Sequence, residues 1–164
     1  MIDPVTHDEV KGAGLGISDV FDTDGNFLQR LASNGSLNAP WGIAIAPAGF
    51  GEFGGDVLVG NFGDGKINAF DPASGNWLGA LTDSSGNPIV NDGLWGIAFG
   101  NNSANPNALY FNAGINDEAD GLFGEIQPVP EPAALALVAL GCLGLAGMAR
   151  RRRRSEPAEQ LTGG

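Results

Sequence analysis

The sequence predicts an all-β body, a partial β-propeller of about two to two and a half four-stranded antiparallel blades, followed by a single C-terminal transmembrane helix. Three observations predict it. Glycine supplies 27 and proline 10 of the 164 residues, and both are poor in helix interiors. The run Trp41-Gly42-Ile43-Ala44-Ile45-Ala46 returns as Trp95-Gly96-Ile97-Ala98-Phe99-Gly100, and alternation of large with small residues has the two-residue period of a strand. Residues Ala133 to Ala149 then run for 17 positions without a charge, close to the ~20 apolar residues a bilayer-crossing helix requires.

Taken in order, residues 1–14 form an irregular start and residues 15–127 form the body. The first two strands are expected at about 15–22 and 26–31, joined through Asp22-Thr23-Asp24-Gly25-Asn26. Clusters of Asp, Gly and Asn between apolar runs make hairpin turns because these residues accept positive φ. The stretch Phe21–Leu28 recurs, with one insertion, as Phe70–Leu78, so the same turn is expected again after Phe70. One complete unit spans Trp41 to Leu81, with strands at 41–46, 56–61, 66–71 and 76–81 and a tight hairpin at Asp64-Gly65. Three further strands, at 95–99, 108–113 and 121–126, match the first three of that unit. Repetition of four antiparallel strands with an aromatic-glycine signature describes propeller blades; a β-sandwich with coincidental similarity is the competing architecture. In both copies of the Trp-Gly-Ile-Ala run one face is bulky and the other flat, so a second sheet can approach closely on the flat side.

The flanks of the apolar run at 133–149 decide its reading. Pro130-Glu131-Pro132 stops a helix from extending backwards. Five consecutive arginines, Arg150, Arg151, Arg152, Arg153 and Arg154, follow it and mark that end as cytoplasmic. A buried core helix is the alternative, but it would normally carry a polar face. The order of Pro-Glu-Pro, short apolar helix and arginine cluster over residues 128–154 resembles the PEP-CTERM sorting signal of Gram-negative bacteria. That resemblance implies recognition by an exosortase, a membrane enzyme thought to cleave near the Pro-Glu-Pro motif, and insertion of 133–149 into the lipid bilayer. It also implies an inner-membrane precursor whose body lies on the periplasmic side, and a cell-surface or extracellular product. Ten residues, Ser155–Gly164, follow the arginines as a disordered tail, whereas such signals usually end soon after the basic cluster.

The body, from Asn38 through Asp83 and again at Asp92–Asn101 and Leu109–Ile126, resembles a bacterial family of uncharacterised NHL-like propeller proteins, many of which end in PEP-CTERM signals. The resemblance implies a ring of about six blades and roughly twice this length. About two and a quarter blades cannot close a ring, and Met1–Glu9 is acidic and polar, without the basic start and apolar run of an export signal. The sequence is therefore expected to be the C-terminal half of a longer protein.

Charge and residue inventory restrict the chemistry. Residues 1–132 carry 17 Asp and Glu against Lys11, Arg30 and Lys66, so nucleic acid is not an expected partner. With one cysteine, Cys142, and one histidine, His7, neither an internal disulfide nor a Cys/His metal cluster is expected. Asp22 and Asp24 are spaced as in calcium loops, but a loop of that type needs more oxygen ligands and usually a downstream glutamate, so a hairpin turn is the expected reading. The acidic loop Gly114–Asp120 replaces a short turn of the preceding unit and is a place where function could sit; a solvated loop is the plainer reading. Asn34-Gly35-Ser36 and Asn101-Asn102-Ser103 fit the glycosylation sequon and are read as turns. No catalytic, cofactor-binding or metal-ligating residue is assigned and no cofactor is expected; the assigned residues are the sorting motif and the arginine stop. The expected function is a non-enzymatic surface or matrix module with a propeller body, for which a polysaccharide or matrix component is the open candidate partner. The alternative is a fragment of a lactonase-like propeller hydrolase with a metal-dependent site in the central channel.

Overall fold

The computed structural model describes residues 2–5, 7 and 9–129. The expected sorting motif, membrane segment and arginine cluster therefore lie outside the described residues. Among the described residues nine strands run in chain order: β1 (Ile17–Phe21), β2 (Phe27–Ser33), β3 (Pro40–Ile45), β4 (Val57–Asn61), β5 (Ile67–Phe70), β6 (Trp77–Ala80), β7 (Leu94–Phe99), β8 (Leu109–Ile115) and β9 (Asp120–Ile126). They form three antiparallel sheets in the orders β1-β2, β3-β4-β5-β6 and β7-β8-β9, so within each sheet neighbours in sequence are neighbours in space. A 3-10 turn, Gly51–Phe53, interrupts the β3–β4 connection. Among the described residues no helix is long and apolar enough to cross a membrane.

The four-stranded sheet is the middle layer, and its strands β4 and β5 are buried on both faces. Leu58, Ile67 and Ala69 join Leu94, Ile97, Leu109 and Phe111 of the three-stranded sheet in one buried cluster. Val59 and Phe70 point the other way and meet Leu31 and Leu37 in a second cluster. Strands buried on both sides read as continuous apolar runs rather than alternating ones; Val57–Gly60 has that character, while Asn61 and Asn68 are buried polar exceptions.

The flat face of β3 is used as its sequence predicts. A Cβ placed on Gly42 would stand 2.8 Å from the Ile97 nitrogen and 2.8 Å from the Trp95 carbonyl oxygen, and one on Gly60 would stand 2.9 Å from Leu94 Cδ2. Backbone meets backbone there, and only glycine at position 42 leaves room. The matching strand β7 is used from its other side. Its bulky Ile97 is buried against the middle sheet while Ala98, on its flat face, is exposed. The three-stranded sheet thus docks its ridge on the flat face of the middle sheet. The outward ridge of β3 is left uncovered: Trp41, Ile43 and Ile45 are 54%, 52% and 71% exposed.

The boundaries of β8 and β9 differ from expectation by a residue or two, since Ile115 pairs with Asp120 and narrows the acidic loop to residues 116–119. The segment before β1 is irregular, with a bridge between Ile2 and Glu9 and a parallel bridge from Leu15 to Asn38.

Candidate functional site

Three features could carry function: the aspartate turns, the acidic loop and a cleft at one end of the middle sheet. The turns are built alike. In the first, Asp22 Oδ1 accepts from the backbone N–H groups of Asp24 and Asn26 at 3.0 and 2.8 Å, and Oδ2 accepts from Asn26 Nδ2 at 2.8 Å. Asp71 receives the N–H groups of Ala73 and Ser74 and the Ser74 hydroxyl in the same manner. A third copy, Asp83-Ser84-Ser85-Gly86-Asn87, follows β6: Asp83 accepts from the N–H groups of Ser85 and Asn87. These oxygens are occupied in closing hairpins, which accounts for the Asp22–Asn26 motif as a turn.

The same bonds hold the three carboxyls below the usual carboxylate range. The leading cause is the Asn26 side chain for Asp22, the Ser74 hydroxyl for Asp71 and the Asn87 backbone N–H for Asp83. Asp19 is lowered likewise, first by its hydrogen bonds from Arg30. A carboxyl depressed in the folded state stabilises fully above its unfolded pKa of about 3.9 and loses that contribution as pH falls through the lower folded value. Stability should therefore fall on acidification below about pH 4. A triple Asp22→Asn, Asp71→Asn, Asp83→Asn variant should show a shallower fall, read as urea midpoints at neutral and acid pH.

The acidic loop is held in an uncommon conformation. Asn116, Asp117 and Glu118 have φ of 57°, 52° and 65° in succession, a left-handed region that non-glycine residues visit mainly one at a time. Two side-chain bonds hold the loop: Trp95 Nε1 donates to Glu118 Oε1 at 3.1 Å, and Asn116 Nδ2 donates to Asp120 Oδ2 at 2.8 Å. Asp117 and Glu118 border a hollow of about 200 Å³ with Glu9, Lys11 and Phe62, and the Lys11 ammonium sits 4.2 Å over the Phe62 ring. Among the described residues no group of three or more His, Cys, Asp or Glu side chains is disposed to hold a metal ion. His7 is exposed at the start of the chain.

The cleft lies where the β2–β3 turn, the β4–β5 hairpin and β6 converge. It measures about 460 Å³ and is walled by Leu37, Ala80 and Pro88, with Trp77 standing at its side. The turn that closes it is Asn34-Gly35-Ser36, where Asn34 has φ of 60° and Gly35 of 55°. Behind that turn, Asn61 Nδ2 donates to the Ser36 carbonyl and to Asp64 Oδ1 at 2.8 and 3.1 Å, while Asn68 Nδ2 donates to the same carbonyl at 3.3 Å. Trp77 Nε1 donates to Asn68 Oδ1 at 3.0 Å. Lys66 Nζ pairs with Asp64 Oδ2 at 3.3 Å on the rim. Sequence reasoning missed this cleft because its residues come from three separated segments. The one readable signal was the substitution of Trp77 for Phe27 between the two copies of the Asp-Gly-Asn turn.

The body of repeated antiparallel sheets is followed by a tail of Pro-Glu-Pro, an apolar run and an arginine cluster, and that tail alone implies the class: exported proteins that are anchored to or pass through the membrane for surface display. Comparison with known proteins gives the particulars. Residues 128–154 match the PEP-CTERM protein-sorting motif, which includes Pro130, Glu131, Pro132 and Arg150–Arg154. Two uncharacterised proteins of Acanthamoeba polyphaga mimivirus are each 42% identical to this chain, over 117 and 113 residues. These matches take in 71% and 69% of this chain but 28% and 29% of those proteins, so the chain spans under a third of the length of the curated relatives it matches. Among solved structures, the PQQ-bound aldose sugar dehydrogenase of Streptomyces coelicolor aligns with 75% of this chain and 31% of its own, at 22% identity and a TM-score of 0.45.

Proposed function

We propose that this chain is an exosortase substrate whose body is a set of β-propeller blades serving as a non-enzymatic binding or structural module at the cell surface or in the extracellular matrix. The observation that carries the reading is the PEP-CTERM motif at 128–154 directly after a body of repeated antiparallel sheets. Delivery follows from the order of its parts. The apolar run inserts in the inner membrane, the five arginines hold its end in the cytoplasm, and the Pro-Glu-Pro motif is presented on the periplasmic side for processing.

The propeller part of the reading is supported by the way the three-stranded sheet docks on the middle sheet. A ridge bearing Ile97 sits on the flat strand at Gly42, while the equivalent ridge at Trp41, Ile43 and Ile45 and the equivalent flat face at Ala98 both stand open. Such a stack continues by adding like units at both ends and closes only as a ring.

Intact-mass analysis with C-terminal peptide mapping in the native host tests the delivery claim. The mature form should end near Pro130–Pro132. Replacing Pro130, Glu131 and Pro132 together with alanine should leave the precursor uncut and membrane-bound. Recovery of the parent chain with its arginine cluster still attached in the surface fraction would overturn the processing claim.

A further inference from the structure

We propose that the cleft beside Trp77 binds a neutral saccharide, with the indole of Trp77 as its stacking face. The inference rests on reading the body as a binding module and names the ligand class of that module.

Trp77 is 55% exposed, yet its orientation is fixed, because Nε1 donates to Asn68 and Asn68 is itself buried and bonded to the Ser36 carbonyl. An aromatic ring held in one pose and more than half exposed is an apolar platform prepared in advance. The indole also borders a second groove of about 270 Å³, which shares Gly35 and Ser36 with the first and reaches Arg30. Two grooves meeting at one indole suit an extended chain of rings better than a single compact ligand. At about 460 Å³ the larger groove falls within the ~300–1,000 Å³ of small-molecule sites.

The polar groups select hydroxyls over ions. Ser36, which lines the cleft, has a buried Oγ, and the fully buried Asn61 has an Oδ1, each without a partner among the described residues. Buried polar atoms are almost always paired, and a serine hydroxyl can turn to donate or accept. The charges on the rim, Asp64 and Lys66, neutralise each other. The surrounding body is strongly acidic, so a polyanion would be repelled. Apolar walls, an oriented aromatic face and neutral hydrogen-bonding groups together match a sugar ring, which presents C–H groups on its faces and hydroxyls at its edge.

The test is ¹⁵N–¹H correlation NMR on the full chain in sugar-free detergent micelles, following the indole N–H signals of the three tryptophans. Cellohexaose, maltohexaose and chitohexaose serve as neutral probes and hexagalacturonate as the anionic one. At least one neutral hexasaccharide should shift the Trp77 signal saturably at millimolar concentration or below, with Trp41 and Trp95 little changed. Trp77→Ala, read through the backbone N–H signals of Gly35 and Ser36 in the same spectra, should weaken that binding about tenfold, the loss of one stacking contact. Because that variant could also disturb the fold, Trp77→Phe, which keeps a ring but loses the bond that fixes its pose, should bind more weakly than the parent chain and more tightly than Trp77→Ala. Failure of all three neutral probes to move Trp77 would overturn the proposal, and so would equal binding of hexagalacturonate. Processing at Pro-Glu-Pro is read separately by mass, so either claim can fail alone.

Discussion

Replacing Gly42 with valine should destabilise the body by about 1–3 kcal/mol or more, the range for overfilling a packed interior. The added Cβ would meet the Ile97 nitrogen and the Trp95 carbonyl oxygen at 2.8 Å. Neither is the free end of a flexible side chain; both belong to β7, so relief requires the two sheets to separate. Separation in turn opens the cluster in which Leu58 and Ile67 meet Leu94 and Phe111. Gly121→Ala is the matching control, because nothing stands within 4 Å of a Cβ there, and its effect should stay within about 0.5 kcal/mol. Urea midpoints with an unchanged slope would read both changes. Equal, small effects of the two substitutions would mean that β3 and β7 are not in close contact.

The importance of Gly42 is legible in the amino-acid sequence, since an alternation of large and small residues states which face of a strand is flat. The nine strands are legible for a related reason: turn residues such as Asp, Gly and Asn punctuate the apolar runs, and the internal repeat locates weak strands by comparison with strong ones. The pattern does not say which face each strand will use. The same alternation occurs in β3 and β7, yet β3 is covered on its flat side and β7 on its bulky side, because the choice depends on which sheets stand next to each. The third aspartate turn, Asp83–Asn87, repeats the Asp-x-x-Gly-Asn spacing of Asp22–Asn26 and is legible in principle. It falls between units, where the repeat offers no second copy to align with it. The left-handed run at Asn116–Glu118 has no such signature, for it depends on the Trp95 and Asp120 partners that hold the loop. The cleft at Trp77 is further still from the sequence, since Ser36, Asp64 and Trp77 meet only through the pairing of β4, β5 and β6. Linear signals behave differently. The sorting motif is recognised as a stretch of chain, so its residues 128–154 can be assigned from the sequence and matched directly.

The second large effect is expected at Leu58, and it gains meaning from a partner on the opposite face of the same sheet. Leu58 is fully buried between the middle and three-stranded sheets, so Leu58→Ala should cost about 2–5 kcal/mol through lost transfer energy and the cavity left behind. Ile45, on the outward ridge of the adjoining strand, is 71% exposed. Removing its side chain should change stability by no more than about 0.5 kcal/mol, although isoleucine and leucine bury comparable apolar surface when a neighbour is present. The pair therefore reads out whether the ridge of β3 is covered. In the chain alone, Leu58→Ala should lower the thermal midpoint by many degrees and Ile45→Ala should leave it nearly unchanged. Should Ile45→Ala instead cost as much as a core substitution, the ridge is occupied in solution. The open stack of sheets would then have to be redrawn as a closed one, with Trp41 and Ile43 inside it.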